Sequence, residues 1–314
     1  MPNIITVTLN PALDLSTVAG QVVPGAKIRC DAPFADPGGG GVNVSRAIRN
    51  LGGRSLAVVC LGGTTGTRLR GLLDQEGITS VRFEIEGETR QSFSVIDAAT
   101  NQQFRYVMPG PTWEDGDEQR LLALIAKFLR GKERIVLSGS VPAGVSADIV
   151  SALNDLGGSV GASTAVDISG AHLGHLVANP CQLWVLRMDK DEAEGLSGRA
   201  LPDPKAVADF AQELVEKGVA EHLVIGCGSE GSVLASKSDR VLASCAVENV
   251  RSRTGAGDSL LAAFVLALSE GASAQEAIKR GVAAAAAAML TDGTDLCRAE
   301  DYNALLAAVA TKTI

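Results

Sequence analysis

The sequence predicts a doubly wound α/β fold, a mostly parallel sheet flanked by helices that carries a small antiparallel β lid. Three observations predict it. Short, mostly apolar runs alternate with helical stretches from the N-terminus to about residue 225, the order of parallel strands buried on both faces and joined by crossover helices. Two stretches, 14–35 and 81–107, interrupt that order with polar-alternating segments and no helix between them. Beyond Gly257 the pattern is almost wholly helical.

In chain order, the strands read as Ile4–Leu9, Leu56–Leu61, Arg134–Leu137, Ala165–Ile168, Leu183–Leu186 and Leu223–Ile225. They are mostly Val, Ile, Leu and Ala, as strands covered on both sides should be. Between them the spacing predicts helices over Val42–Leu51, Gly66–Gln75, Glu118–Phe128, Ala147–Leu156 and Lys205–Lys217. The C-terminal helices read as Asp258–Leu268, Ala274–Leu290 and Ala299–Thr311. The alanines Ala283–Ala288 allow close approach to the sheet or to a ligand, and close packing alone accounts for most of them. Arg90–Ile96 and Gln103–Val107 alternate polar and apolar residues, which reads as a lid with one open face. Such a lid needs cover, so a homodimer built lid on lid is expected. No repeat, linker or low-complexity tail divides the chain, and 1–314 reads as one domain.

Composition excludes several functions. With 28 Lys+Arg against 36 Asp+Glu and a net charge of -8, the chain lacks the positive field that a phosphate-backbone binder needs, so no nucleic-acid partner is expected. The six cysteines form no CxxC pair and read as buried thiols of a reducing compartment. The opening Met-Pro-Asn-Ile shows no leader pattern, and the longest apolar run, Val282–Leu290, is far below the ~20 residues that span a bilayer. A soluble, cytoplasmic protein without membrane partners is expected. The histidines, His172, His175 and His222, suggest neither a metal site nor a triad.

Three glycine-rich segments carry chemistry. In Asp36-Pro-Gly-Gly-Gly-Gly-Val-Asn43 four glycines run straight into a helix. Backbone amides there can meet a ligand without side chains in the way, and a helix N-terminus points at it; a tight corner would use the same residues. In Thr254-Gly-Ala-Gly-Asp258 the amides of Gly255, Ala256 and Gly257 suit an anion nest at the positive end of a helix dipole. Asp258 beside them suits a base that takes a proton from an alcohol attacking phosphorus, with an N-cap as its alternative role. Gly226-Cys-Gly-Ser-Glu-Gly231 matches GxGxxG, but Ser232–Ser236 after it reads as a strand. The dinucleotide motif is therefore rejected in favour of a glycine-rich hairpin able to flank a nucleotide. No P-loop occurs.

The glycine run with Asn43 and the Gly255–Asp258 turn resemble the two signatures of the ribokinase-like (PfkB) family of sugar kinases, over essentially the whole chain. Further stretches resemble its minor, PfkB-type bacterial 6-phosphofructokinase branch: Thr8–Asp14, Lys27–Cys30, Thr89–Gln91, Arg105–Gly110, Ser138–Pro142 and Gly293–Cys297. The resemblance implies a ribokinase-like fold and Asp258 as catalytic base, with the Gly255, Ala256 and Gly257 amides holding charge on the transferring phosphoryl group. It implies that Asp14 and Asn43, with the amides of Gly39 and Gly40, hold sugar hydroxyls. Arg90 and Ser140, with Lys27 from a neighbouring subunit's lid, would hold the phosphate already on the sugar. Arg105 lies in a matching lid motif, where a surface ion pair is its alternative role. Arg187, Asp189, Gly226, Gly228 and Gly231, with the alanine-rich helix, would border ATP. Mg2+ would arrive with the nucleotide and meet Glu192 indirectly, and a potassium ion near the nest is common in the family.

The departures fall on the nucleotide side. Where the family usually has Lys-Pro-Asn-x-x-Glu, this chain reads Arg187-Met-Asp-Lys-Asp-Glu192; Arg253 replaces a small hydroxyl residue, and Gly226 a Ser or Thr. A carboxylate at 189 would repel ATP phosphates unless a metal ion compensates it, or unless Arg253 pairs with it. The resulting expectation is ATP-dependent phosphorylation of C1 of fructose 6-phosphate by in-line transfer under a closing lid. Kinases of tagatose 6-phosphate or fructose 1-phosphate are alternatives, as is a sugar-phosphate-binding module with weak or lost transfer.

Overall fold

Apolar β-branched runs form the central strands, and the segments between them fold into helices. The computed structural model describes residues 3–314; Met1 and Pro2, which open the stretch read as lacking a leader, lie outside them. The N-terminal part contains β1 (Ile4–Thr8), β2 (Ala12–Ala19), β3 (Phe34–Gly38), α1 (Gly40–Asn50), β4 (Leu56–Leu61), α2 (Gly63–Gln75), β5 (Ser80–Glu84), β6 (Arg90–Asp97) and β7 (Gln102–Val107). The middle contains α3 (Asp117–Ala126), β8 (Arg134–Ser138), α4 (Ile149–Gly158), β9 (Ser163–Asp167), α5 (Gly170–Ala178), β10 (Leu183–Asp189) and α6 (Lys190–Ser197). The C-terminal part contains α7 (Pro204–Glu216), β11 (Ala220–Gly226), β12 (Ser232–Ala235), β13 (Arg240–Ser244), α8 (Ala256–Ser269), α9 (Ala274–Ala288), α10 (Ala299–Leu306) and β14 (Ala310–Thr313).

Ten strands form one sheet in the order β14-β13-β12-β11-β10-β9-β8-β1-β4-β5, parallel from β11 to β5 and antiparallel beyond β11. Helices cover both faces. On one face α1, α8 and α9 enclose a core containing Val44, Ile48, Leu260 and the fully buried Phe264. All of Ala283–Ala288 except Ala285 are buried, so the alanines serve mainly to let α9 lie close to α8 and the sheet.

The lid is a separate sheet, β3-β2-β6-β7. Its outer pairs are antiparallel, but its central pair, β2 with β6, is parallel over eight residues, from Ala12–Arg90 to Ala19–Asp97. The reason is topological: β2 and β6 each follow a parallel strand of the main sheet, β1 and β5, and leave it in the same direction. The second excursion also begins later than position 81. Ser80–Glu84 pairs in parallel with β4 and is an edge strand of the main sheet, so the lid segment starts at Arg90.

Other differences have local causes. The final helix stops at Leu306 and not at Thr311, because Ala310–Thr313 pairs with β13; pairing across the sheet outweighs alanine's helix propensity. Helices α5 and α6 were absent from the pattern reading. For α6 a signal existed in Asp189-Lys-Asp-Glu192, which forms a capping box.

Candidate active site

The sheet reverses its winding at β1, with β4 and β5 on one side and β8 to β11 on the other. Loops leaving the carboxyl ends of strands diverge at such a point and open the crevice where α/β proteins bind ligands. Many residues singled out in the sequence lie along this line: Asp14 in β2 just after β1, Gly39 before α1 with Gly40 and Asn43 in its first turn, Ser140 after β8, Arg187–Glu192 at the end of β10, Gly226–Gly231 from the end of β11, and the start of α8, while Lys27, Arg90 and Arg105 belong to the lid.

The glycine run is needed for contact. Gly39 has φ +117, and a Cβ there would lie 2.8 Å from Thr8 Cγ2. Side chains are excluded, so α1 begins hard against β1 and the loop after β8 and presents bare amides to the crevice. This approach lets Asn43 reach across to α8, where its Nδ2 donates to Asp258 Oδ2 over 3.0 Å. The other amide atom, Asn43 Oδ1, is buried without a partner, an acceptor facing a site that offers it no donor.

Asp258 is the third residue of α8, whose N-cap is Gly255 at φ +77 with no side-chain cap bond. It is therefore not a helix cap, and its carboxyl is engaged by Asn43 instead. The amides of the first turn have no acceptor within the helix, so they stay available beside the carboxyl. Burial, and then the charge of Asp167, push Asp258 up to about 6, against the pull of Asn43 and Arg187. A base with that affinity is poised for proton transfer near neutral pH.

Asp167, at the end of β9, is a site residue that the sequence reading missed; its signal was an acid closing the apolar strand Ala165-Val-Asp167 on the ligand side of the sheet. Its carboxylate accepts from Arg187 Nη1 at 3.1 and 3.4 Å, and burial raises its pKa. Arg187 then passes over α8, where a Cβ on Gly257 would lie 2.6 Å from its Nη2. Burial works against its charge, but Asp167, Asp258, Glu192 and Asp189 raise its pKa overall, so it stays cationic. Its Nε is buried and unpartnered.

Asp189 is exposed, and its charge still acts on Arg187 and Glu192. It caps α6, accepting from the Glu192 amide at 2.9 Å while Glu192 Oε2 accepts from the Asp189 amide at 2.8 Å, the role an Asn would also fill. The expected pairing with Arg253 does not form among the described residues; Arg253 is exposed. Gly226 lies 3.6 Å, measured from a built Cβ, from Arg187 Nη2. Gly228 is in a 3-10 turn, and Gly231 at φ +110 abuts β13, which gives it a packing role in the hairpin.

Toward the lid, burial raises the pKa of Asp14, opposed by the charges of Arg90 and Arg105. Arg105 is exposed and lines the same cavity as Asp14. Arg90 Nε donates to the Asn10 carbonyl at 3.2 Å, and Asn10 Nδ2 donates to Ser140 Oγ at 3.1 Å. Lys27 lies on the exposed stretch between β2 and β3, where no described hydrogen bond ties it to Arg90 or Ser140. A cavity of about 510 Å³ runs between the lid and residues 292–295 and is lined by Asp14, Asp36, Arg105 and Thr294. Asp258, Arg90 and Ser140 lie outside its lining. Phe34 is 76% exposed on the lid, and Phe93, Tyr106, Val107 and Met108 are exposed as well. No helix among the described residues is long and apolar enough to cross a membrane.

Residues 10–301 match the model of the pfkB family carbohydrate kinases. The chain is 36% identical over 301 residues to the ATP-dependent 6-phosphofructokinase isozyme 2 of Mycobacterium tuberculosis, covering 96% of this chain and 88% of that one. It is 35% identical to the isozyme of the same name from Escherichia coli, covering 98% and 99%. The crystal structure of the Escherichia coli phosphofructokinase-2 with fructose-6-phosphate superimposes with a TM-score of 0.91 at 34% identity, and that with potassium with 0.93 at 35%; each covers 98% of this chain and 99% of the other. Asp258 and the amides at the start of α8, joined by Asn43 to the glycine-rich start of α1, thus stand in a fold and sequence that agree: the chain belongs to the pfkB family of carbohydrate kinases and is a phosphotransferase of the phosphofructokinase-like kind.

Proposed function

We propose that this kinase transfers the γ-phosphoryl group of ATP to the C1 hydroxyl of fructose 6-phosphate. The observation that carries the reading is the 3.0 Å contact between Asn43 and Asp258. It supports a reading in which Asn43 holds the sugar beside Asp258 as base, with Asn43 Oδ1, which has no partner, accepting from a sugar hydroxyl. The 6-phosphofructokinase names of relatives at 35–36% identity support the choice of sugar.

In this reading Asp14, Asn43 and the amides of Gly39 and Gly40 hold sugar hydroxyls, while Arg90, Arg105 and Ser140 hold the 6-phosphate. Asp258 takes the C1 hydroxyl proton as the oxygen attacks phosphorus. The first amides of α8 and the Arg187 guanidinium stabilise the charge on the transferring group. The Gly226–Gly231 hairpin and α9 border the nucleotide.

Mg2+ supplies neutralisation of the β- and γ-phosphate charge when bound. Among the described residues there is no group of three or more His, Cys, Asp or Glu able to cage a metal ion, which fits an ion carried in by phosphates and met by one or two carboxylates. Glu192, raised by burial and by Asp189 and Asp167, is that carboxylate here. A potassium ion would find carbonyl donors where the loop before Gly255 meets residues 291–295. Two of those carbonyls, Gly293 and Asp295, already accept from Ser252 and Thr291.

The exposed apolar lid residues support a homodimer joined through the lids, each covering its partner's open face and bringing Lys27 to the neighbouring phosphate site. The test is ADP release with MgATP against fructose 6-phosphate, tagatose 6-phosphate, fructose 1-phosphate and fructose. Turnover is expected with fructose 6-phosphate and its near abolition in Asp258→Asn. Preferred turnover of another sugar, or an active Asp258→Asn, would overturn the reading.

A further inference from the structure

Asn10 lies in the Thr8–Asp14 stretch, yet the roles above leave its side chain without a function. It sits where three segments meet. Its Nδ2 donates to Ser140 Oγ at 3.1 Å, and its carbonyl accepts from Arg90 Nε at 3.2 Å. Its Oδ1 fills the space beside Gly110, where no Cβ would fit. Arg90 Nη1 also reaches the Met108 carbonyl at 3.4 Å, so Nε and one Nη1 proton are committed to backbone carbonyls and Nη2 is left over.

A serine hydroxyl has one proton and two acceptor lone pairs. When Asn10 donates into one lone pair, the proton is left to point elsewhere, and the oxygens of a phosphate dianion can only accept. We propose that Asn10 is a positioning residue that fixes the donor direction of the sugar-phosphate pocket: its side chain turns the Ser140 proton outward, beside the Arg90 guanidinium that its main-chain carbonyl holds. This inference rests on the reading that Arg90 and Ser140 hold the substrate phosphate.

The test is Asn10→Asp, which keeps the shape but replaces the amide donor with an acceptor. The carboxylate would take the Ser140 proton and add a negative charge near the phosphate. The KM for fructose 6-phosphate is expected to rise by ~30-fold or more, as befits lost and reversed hydrogen bonds to a charged group. The kcat and the KM for ATP should stay within about threefold, since proton transfer and phosphoryl stabilisation are untouched. Asn10→Ala, which frees Ser140 without adding charge, should raise the sugar-phosphate KM by only ~3- to 10-fold.

A normal sugar-phosphate KM in Asn10→Asp would overturn the proposal. So would a joint loss of kcat, ATP affinity and melting temperature in both variants, which would mark a purely structural residue. Arg90→Ala is measured alongside. If it raises the sugar-phosphate KM and Asn10→Asp does not, the Asn10 role alone fails; if neither does, the phosphate reading itself fails.

Discussion

With Asp258 as the proposed base, the pH dependence of turnover is expected to follow its surroundings. Its carboxyl rises from the ordinary 3.8 to about 6, first through burial and then through Asp167, a difference of ~3 kcal/mol between its two protonation states. The base must be ionised, so kcat/KM is expected to plateau above neutral pH and to fall about tenfold per pH unit below 6. The phosphate of the sugar titrates in the same range, near 6, so one profile cannot assign the limb. Two variants sharing that substrate can. Asn43→Ala removes the hydrogen bond that favours the ionised carboxyl and should move the limb up by about one pH unit. Asp167→Asn removes the like charge and releases Arg187 toward Asp258, which should move it down by about half a unit or more.

Stability supplies a second readout with a fixed sign. A carboxyl whose pKa is raised on folding binds protons more tightly in the native state, so it costs stability progressively as pH rises from 3.8 to about 6 and fully above that. Asp258→Asn should therefore be inactive yet more stable at pH 8, by up to ~3 kcal/mol, read by denaturant unfolding. The reasoning is refuted if both limbs stay at the wild-type pH, if they move in the same direction, or if Asp258→Asn is less stable at pH 8 than at pH 4 relative to wild type.

Gly257→Ala places a methyl 2.6 Å from Arg187 Nη2 and should lower kcat by ~100-fold or more, the scale of losing one transition-state donor; calorimetry should find sugar-phosphate affinity unchanged. Arg187→Met strands the Asp167 carboxylate without its partner and is expected to cost ~3–5 kcal/mol in denaturant melts, whereas Arg187→Lys keeps the charge, loses the fork and should chiefly lower kcat. Asp189→Asn should melt and turn over like wild type because either residue caps α6, while Asp189→Ala should cost about 1 kcal/mol. Phe34→Asp, on the exposed lid face, should convert a dimer to a monomer in sedimentation velocity and raise the sugar-phosphate KM.

How much of this was legible in the sequence follows from how local each signal is. The β-α alternation, the polar-alternating lid and the two glycine-to-helix turns are written in adjacent residues, because burial on two faces, burial on one face and close backbone approach each leave a short-range pattern. The fold class follows from them, and the family from the resemblance that the two glycine turns and the further motifs carry. What joins distant segments left little trace. Strand β14 exists because β13 offers it an edge, and the lid's parallel centre exists because β1 and β5 point the same way.

The site divides along the same line. The sequence by itself placed an acid after a glycine nest, an asparagine after a glycine run and arginines on a lid. Only the tertiary structure brought Asn43 and Asp258, 215 residues apart, to 3.0 Å, and only it paired Asp167 with Arg187. It also gave the Asp189 carboxylate a role as a helix cap and tied Asn10 to Ser140. The physical reason is that a residue's type limits what it can donate or accept, while its partner, and with it its charge state and role, depends on which strands end side by side.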